Sequence, residues 1–368
     1  MKNTIGNNVK MTLFGESHGA MIGAVLDGFA PGVKVDYDLI DANLAKRRPN
    51  AKTDTARVEA DKYEIVGGVF GGFTTGAPIC MIIPNADTDS SSYEAFRGKA
   101  RPSHADYAAF CKYHGFEDYR GGGHFSGRIT APIVGLGAIC LSALKNRGVR
   151  IGTHILRCGN AHDRSFSDFE KEIDAIGGRM FPIISDAQEK FEKEIETAKR
   201  DGDSIGGITQ TAIVGLPAGL GEPWFSSVEG VISNAMFSVG GIKGVEFGLG
   251  FGFADAKGSI ANDAFAFLNG KVVSRTNNNG GANGGITNGM PVVFQCAVKP
   301  TPSISKRQDT IDFLKGENSV IEINGRHDPA IIRRICIVIT SLAAIVVCDF
   351  LSLRYGTDAL AGTGPFEG

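Results

Sequence analysis

Gly67–Pro78 reads GGVFGGFTTGAP, and 213 residues further on Gly280–Pro291 reads GGANGGITNGMP. Seven of the twelve positions are identical: two glycine pairs, a threonine, a further glycine and the closing proline. Each block runs directly into an apolar, strand-like segment, Ile79–Pro84 after the first and Val292–Val298 after the second. Matches come cheaply in a glycine-rich chain, but a fixed register with the same successor element marks a duplicated supersecondary unit. Two copies are too few for a solenoid, so the spacing predicts a pseudo-symmetric globule. The copies differ in chemistry. The second carries Asn283 and Asn288 where the first has Phe70 and Thr75, so if one copy binds a ligand, the sequence points to the second.

Outward from these blocks the chain alternates between two periods. Lys10–Phe14, Ile22–Leu26 and Gly207–Val214 are further strand-like runs. Tyr37–Lys46, Thr130–Lys145, Ile184–Arg200 and Pro329–Arg354 repeat apolar residues at helical steps. Ser185 and Asp186 offer a cap for the third of these, whose dense charge predicts a solvent-facing helix. No linker or charge run divides the chain, so residues 1–368 read as one domain. Glycine accounts for 50 of 368 residues, roughly twice the usual share, without the collagen period. Apolar residues make up 42% and charged residues 21%, which excludes a disordered chain. A net charge of −2 gives no field for nucleic acid. Ile335–Leu353 is the one stretch with the apolar character of a membrane span, but Arg333 and Arg334 precede it and Asp349 interrupts it; a buried core helix is expected. The opening MKNTIGNNVKMTLFG has no apolar leader core, and the seven cysteines form no C-x-x-C pair. Together these point to a reducing, cytoplasmic setting with no membrane partner.

Only seven histidines occur, and two sit in compact polar clusters: Gly15-Glu16-Ser17-His18-Gly19 and Arg101-Pro102-Ser103-His104-Ala105-Asp106. Imidazole titrates near neutral pH and suits general acid work or holding charge beside an anion. Neither cluster has the spacing of zinc ligands, so no metal is expected. A third cluster, Tyr119-Arg120-Gly121-Gly122-Gly123-His124-Phe125-Ser126-Gly127-Arg128, leads into the helix expected from Thr130. Glycine-rich backbone entering a helix N-terminus can cradle an anion. Lys299-Pro300-Thr301-Pro302-Ser303 follows the second strand-like run, and Gly325-Arg326-His327-Asp328-Pro329 precedes the last helix. Arginines cluster beside glycine or proline, at Arg47-Arg48-Pro49, Arg101, Arg120, Arg128 and Arg334, which suits a small polyanionic ligand.

Taken together, GESHG, AKRRP, RPSHAD, YRGGG with SGR and TA, GGIKGVEFGLGF, GGITNGMP, KPTPS and GRHDP resemble the chorismate synthase family in kind and order. That resemblance implies an α+β fold, a single large domain with a helical core flanked by antiparallel sheets and internal pseudo-twofold symmetry. It implies 5-enolpyruvylshikimate 3-phosphate as substrate, losing phosphate and a C6 hydrogen in an anti-1,4 elimination that gives chorismate. It further implies reduced FMN as cofactor without net redox change, and a homotetramer. NADPH as the direct reductant and an outside reductant both stay open.

By the same resemblance His18 is the acid toward the departing phosphate and His104 manages charge on the reduced flavin. Asp328, Ser17 and Ser126 match a relay beside the flavin. Arg47, Arg48, Arg101, Arg128 and Arg334 match substrate-anion contacts. His124, Phe125, Ser126, Gly240, Gly241, Gly284, Lys299, Pro300, Thr301, Pro302, Ser303 and Arg326 match flavin contacts. The chain departs from many members at His124, Phe125 and Ile129, where they carry Arg, Ser and Glu, and at Gly240-Gly241, where they carry Asn-Ala. A flavin oxidoreductase with net hydride transfer is the competing enzyme class, but no G-x-G-x-x-G follows a strand and no βαβ rhythm houses a nicotinamide.

Overall fold

A computed structural model describes residues 2–49, 61–85, 96–323 and 328–366. Two five-stranded antiparallel sheets enclose a helical core. The first is built from β1 (Thr4–Ile5), β2 (Lys10–Gly15), β3 (Met21–Asp27), β4 (Glu64–Gly67) and β5 (Ile79–Pro84), in the order β1-β2-β3-β5-β4. The second contains β6 (Arg150–Cys158), β7 (Ala161–His162), β8 (Gly207–Val214), β9 (Ile242–Phe247) and β10 (Val292–Val298), in the order β9-β10-β8-β6-β7. Helix α1 spans Tyr37–Arg47, α2 Asp106–Tyr113, α3 Thr130–Asn146, α4 Phe169–Gly177, α5 Gln188–Arg200, α6 Val228–Ser238 and α7 Ile332–Tyr355.

The central contact is α3 against α7. Helix α3 lies on β3 and β5 of the first sheet, and α7 lies on β6 and β8 of the second. A helix covered on all sides must be apolar on all sides, and both are. Close approach demands small residues on α3. A Cβ on Gly137 would stand 2.4 Å from Ser341 Cβ on α7, and one on Gly135 would stand 2.3 Å from Met81 Sδ on β5. Both helices have the length and hydropathy of a membrane span, yet 78% of the α3 window and 100% of the α7 window are buried in the protein. The expected single span-like stretch is therefore two.

The five expected strands fall within a residue of the observed bounds, whereas two helices begin later than their periodicity suggests. Helix α5 starts at Gln188, without the Ser185/Asp186 cap. Asp163 accepts the backbone N–H groups of Ile184 (2.6 Å) and Ser185 (3.1 Å), which ties that segment outside the helix. Helix α7 starts at Ile332 because the carbonyl of Pro329 is taken by the N–H of Ile205 at 2.8 Å. All seven cysteines are free; five are buried, and burial pushes the Cys158 and Cys296 thiols up to about 12.

The two glycine blocks take the same local form. Val69–Phe70 pairs with Phe73–Thr74, and Ala282–Asn283 pairs with Ile286–Thr287. Thr74 Oγ1 donates to Ala30 O (2.6 Å) and accepts from Val33 N (2.9 Å). Thr287 Oγ1 donates to Pro217 O (2.7 Å) and accepts from Leu220 N (2.9 Å). The shared threonine of the two blocks thus closes the same kind of loop twice.

Asp349, the charge inside the most apolar helix, has a specific task. Its Oδ2 accepts the N–H of Asn7 (2.9 Å), and its Oδ1 accepts those of Asn8 (2.7 Å) and Val9 (3.0 Å), anchoring the start of the chain to α7. Replacing Asp349 by Ala leaves these donors unpaired, that of Val9 in a fully buried setting. Asp349→Ala is expected to lower unfolding stability by about 2–4 kcal/mol, read as a lower urea midpoint at fixed protein concentration.

Candidate functional site

The loop after β2 and the glycine-rich turn Arg120–Phe125 form the first half of the site. Gly121, Gly122 and Gly123 all have positive φ, so the chain doubles back where a side chain would be strained. Space forbids one as well: a Cβ on Gly121 would lie 2.1 Å from His18 Cε1 and 2.8 Å from Ser17 Oγ. The turn is fastened to the loop by Ser17 N donating to Gly123 O (3.2 Å) and by His124 Nδ1 donating to Gly15 O (2.8 Å). His18 is 6% exposed, with Nδ1 3.0 Å from Ser17 Oγ. Because Ser17 Oγ donates to Arg120 O, it accepts from Nδ1–H of His18. Asp118 faces the same region. Burial would raise its carboxyl, but hydrogen bonds from Arg120 and the charges of Arg120 and His18 hold it below the usual range.

His104 stands beside the next glycine. A Cβ on Gly122 would be 3.3 Å from His104 Cε1 and 3.5 Å from Nε2. Asp106, at the start of α2, accepts from His104 Nδ1 (2.6 Å) and three times from Arg101, from its backbone N–H (2.9 Å), Nε (2.8 Å) and NH2 (2.7 Å). Burial opposes the charge on Asp106, yet the bonds from Arg101 and His104 prevail and hold its carboxyl well below the usual range. Its ionised carboxylate fixes the proton on Nδ1. Successive glycines therefore separate two histidines with different supports, a hydroxyl for His18 and a carboxylate for His104.

Beneath this turn lies a clamp that the motifs do not announce. Asp61, its side chain fully buried, accepts from Arg47 NH1 at 2.7 Å and from Arg128 NH1 at 2.6 Å. Arg47 also donates to Thr130 Oγ1 (3.2 Å) and Gly127 O (3.3 Å). Arg128 donates to Asn85 Oδ1 (2.7 Å) and Pro84 O (3.2 Å). Asn85 in turn donates to the carbonyls of Glu16 (2.9 Å) and Gly19 (2.8 Å), which bracket Ser17 and His18. Arg47 and Arg128, expected as substrate contacts, both pair with this buried carboxylate. Asp61 and Asn85 carry no motif, and only contact across the fold reveals them.

The second half of the site gathers at the far end of β10. Lys299 N donates to Gly241 O (2.9 Å), and Lys299 Nζ donates to Ser103 O, joining this half to the His104 loop. Thr301 Oγ1 donates to Asp328 O (2.7 Å), and Asp328 pairs with Arg334. Burial and the neighbouring Lys243 both lower the Lys299 ammonium pKa. Arg334 Nε is buried without a hydrogen bond, and a Cβ on Gly240 would meet nothing within 4 Å. Two neighbouring lysines, an unsatisfied guanidinium nitrogen and open space beside glycine fit a phosphate-bearing cofactor. Ser126 accepts from Arg128 N (3.3 Å) and Ser17 contacts His18, so these two hydroxyls serve separate partners. Phe125, 45% exposed, packs edge-on to Tyr113, and Arg48 caps the end of α1. Gly284 sits at the turn of the hairpin Ala282–Asn283/Ile286–Thr287 that precedes β10. Arg326 lies outside the described residues.

Comparison with known proteins adds to this geometry. The family profile described as chorismate synthase matches residues 9–352. The chain belongs to the chorismate synthase family. It is 43% identical over 351 residues to a chorismate synthase of Pyrococcus abyssi, covering 95% of this chain and 97% of that one. A chorismate synthase of Dehalococcoides mccartyi is 42% identical over 359 residues, covering 97% and 98%. A solved structure, "Crystal Structure of Chorismate Synthase", superposes with a TM-score of 0.75 at 29% identity, over 97% of this chain and 96% of that chain. The family's members are carbon–oxygen lyases of the shikimate pathway.

Gly121 and Gly127 make a matched test of the turn. Gly121 has φ +61 and no room, while Gly127 has neither a positive φ nor any atom within 4 Å of where a Cβ would stand. Gly121→Ala is expected to cut the rate of chorismate formation about 100-fold through displacement of His18, and Gly127→Ala to leave it within about twofold. The comparison is made at equal folded fractions by circular dichroism.

Proposed function

We propose that the chain converts 5-enolpyruvylshikimate 3-phosphate to chorismate by anti-1,4 elimination, with reduced FMN bound between the histidine turn and Lys299–Ser303. The carrying observation is the Gly121-Gly122 step with His18 on one residue and His104 on the next. When bound, reduced FMN would lend one electron and take it back with the C6 hydrogen as a hydrogen atom, releasing a proton, so it would be required without being consumed. His18, as the imidazolium with Nδ1–H held by Ser17, gives its Nε2 proton to the leaving phosphate and is left neutral with the proton on Nδ1. His104, its Nδ1 held by Asp106, faces the cofactor with Nε2 and balances negative charge there. Arg101 and Arg334, already paired with Asp106 and Asp328, orient these carboxylates while facing the anionic ligands. Lys299, Thr301 and Ser303 bind the flavin phosphate end, with Lys243 adding charge. The proposal is confined to reduced FMN, whatever its reductant, in a cytoplasmic enzyme.

Self-association belongs to the same proposal. Exposed apolar side chains gather around the second glycine block: Phe225 is 99% exposed, Phe251 86% and Phe267 82%. Their segments are tied to that block through Glu222–Ser226 beside Gly285, Leu249 N to Asn278 O and Asp263 to Asn278 and Asn279. A monomer rarely leaves such a surface open, and a homotetramer would cover it. Phe251→Asp with Phe267→Asp is expected to shift the mass measured by light scattering from tetramer to a smaller species. An unchanged mass, or a monomeric wild type, refutes this part.

Single-turnover reactions under anaerobic conditions test the chemistry. Wild type with reduced FMN should form chorismate without net flavin oxidation, and oxidised FMN alone should give none. Product without flavin, or stoichiometric flavin oxidation, overturns the proposal and in the latter case favours an oxidoreductase. His18→Ala is expected to slow turnover by about 10²–10⁴-fold with near-normal substrate binding. His104→Ala should shift the bound flavin spectrum and its pH dependence instead.

A further inference from the structure

A cavity of about 470 Å³ lies away from the histidine turn, between α1, the end of α3, β6, α4 and the first turns of α7. Its volume is that of a small-molecule site. None of the residues placed at His18, His104 or Lys299 lines it. The floor is apolar, made by Leu39, Leu141, Ile151, Ile173 and Ile337. The polar wall is unbalanced: among the described residues that line it, Lys46, Lys145, Arg150 and Arg179 stand against only Asp36 and Asp174. Both carboxylates are already engaged. Asp36 caps α1 by accepting from Leu39 N at 2.9 Å, and Asp174 pairs with Arg150 at 2.6 Å. Among the described residues Lys46, Lys145 and Arg179 have no carboxylate partner. Lys46 Nζ reaches neutral oxygens only, the carbonyl of Gly177 and Asn43 Oδ1, and burial lowers its ammonium pKa.

A separate observation points the same way. Asn43 is 2% exposed and lines the cavity; its Oδ1 is taken by Lys46, and its Nδ2 has no hydrogen-bond partner. Buried amide donors are almost always paired, so an acceptor is missing at this point. A ligand suited to the cavity brings a charged oxygen acceptor to Asn43 Nδ2 and Lys46, and a compact apolar body for the floor. We propose that this cavity is a second ligand site, and that it takes a small carboxylate carrying a single ring or a similar apolar body.

The site is tested with the full-length protein and phenylacetate as probe, by isothermal calorimetry or ligand-observed NMR. Benzyl alcohol keeps the ring without the charge, and inorganic phosphate keeps charge without the ring. Wild type is expected to bind phenylacetate saturably with a Kd on the order of 1 mM or tighter, and to bind both controls at least about tenfold more weakly. Asn43→Leu removes the unpaired amide in a similar volume and should weaken phenylacetate about tenfold. Arg179→Ala, at the exposed rim, should weaken it severalfold with no effect on folding. Equal affinity of wild type and Arg179→Ala together with a folded Asn43→Leu overturns the proposal. If Asn43→Leu does not fold, equal affinity of wild type and Arg179→Ala alone overturns it. Absence of saturable phenylacetate binding up to about 20 mM overturns it too, as does phosphate binding as tightly as phenylacetate.

Discussion

The carboxylate of Asp61 holds two buried guanidiniums at once, and the placement of the reacting groups depends on it. Arg47 ends α1 and Arg128 precedes α3, so one acid pins two core helices to each other. From Arg128 the connection continues through Asn85 to the carbonyls on either side of Ser17-His18. A buried charge set of this kind is stable only when each donor finds an acceptor, and here carbonyls of Pro84 and Gly127 and the hydroxyl of Thr130 supply the remainder. The histidine loop is therefore positioned from below by the core and from above by glycines.

That arrangement also explains why the two histidines are not interchangeable. His18 rests on a hydroxyl that has spent its own proton on Arg120 O, and its neighbour Asp118 is already bonded to Arg120. His104 rests on an ionised carboxylate shared with Arg101. The proposed roles of proton donor and charge holder build on this difference in partners.

Much of the fold is legible in the sequence because the strands of the outer sheets alternate or run apolar between clear turn residues. β5, β8 and β10 match their expected bounds for that reason. β6 is not marked, since Arg150–Cys158 mixes His154, Thr153 and two arginines into a strand that the helices bury on most of its length. Its His154 Nε2 bonds to Gln210 and its Thr153 hydroxyl to Thr211 and Thr340, partners far away in the chain. The glycine turn, both histidines and Lys299 are visible as motifs, because each lies in a compact cluster of glycine, proline and polar residues along the chain. Asp61 and Asn85 are not, because each is a single polar residue whose meaning lies in contacts 14 to 69 positions distant.

Asp61→Asn tests the clamp most directly, because the amide fits the same space and carries no charge. The account predicts that the variant loses about 3–5 kcal/mol of unfolding stability, and that its turnover number falls while KM for the substrate changes little. A variant with wild-type stability and turnover number but a strongly raised KM would contradict it, and would return Arg47 and Arg128 to the substrate.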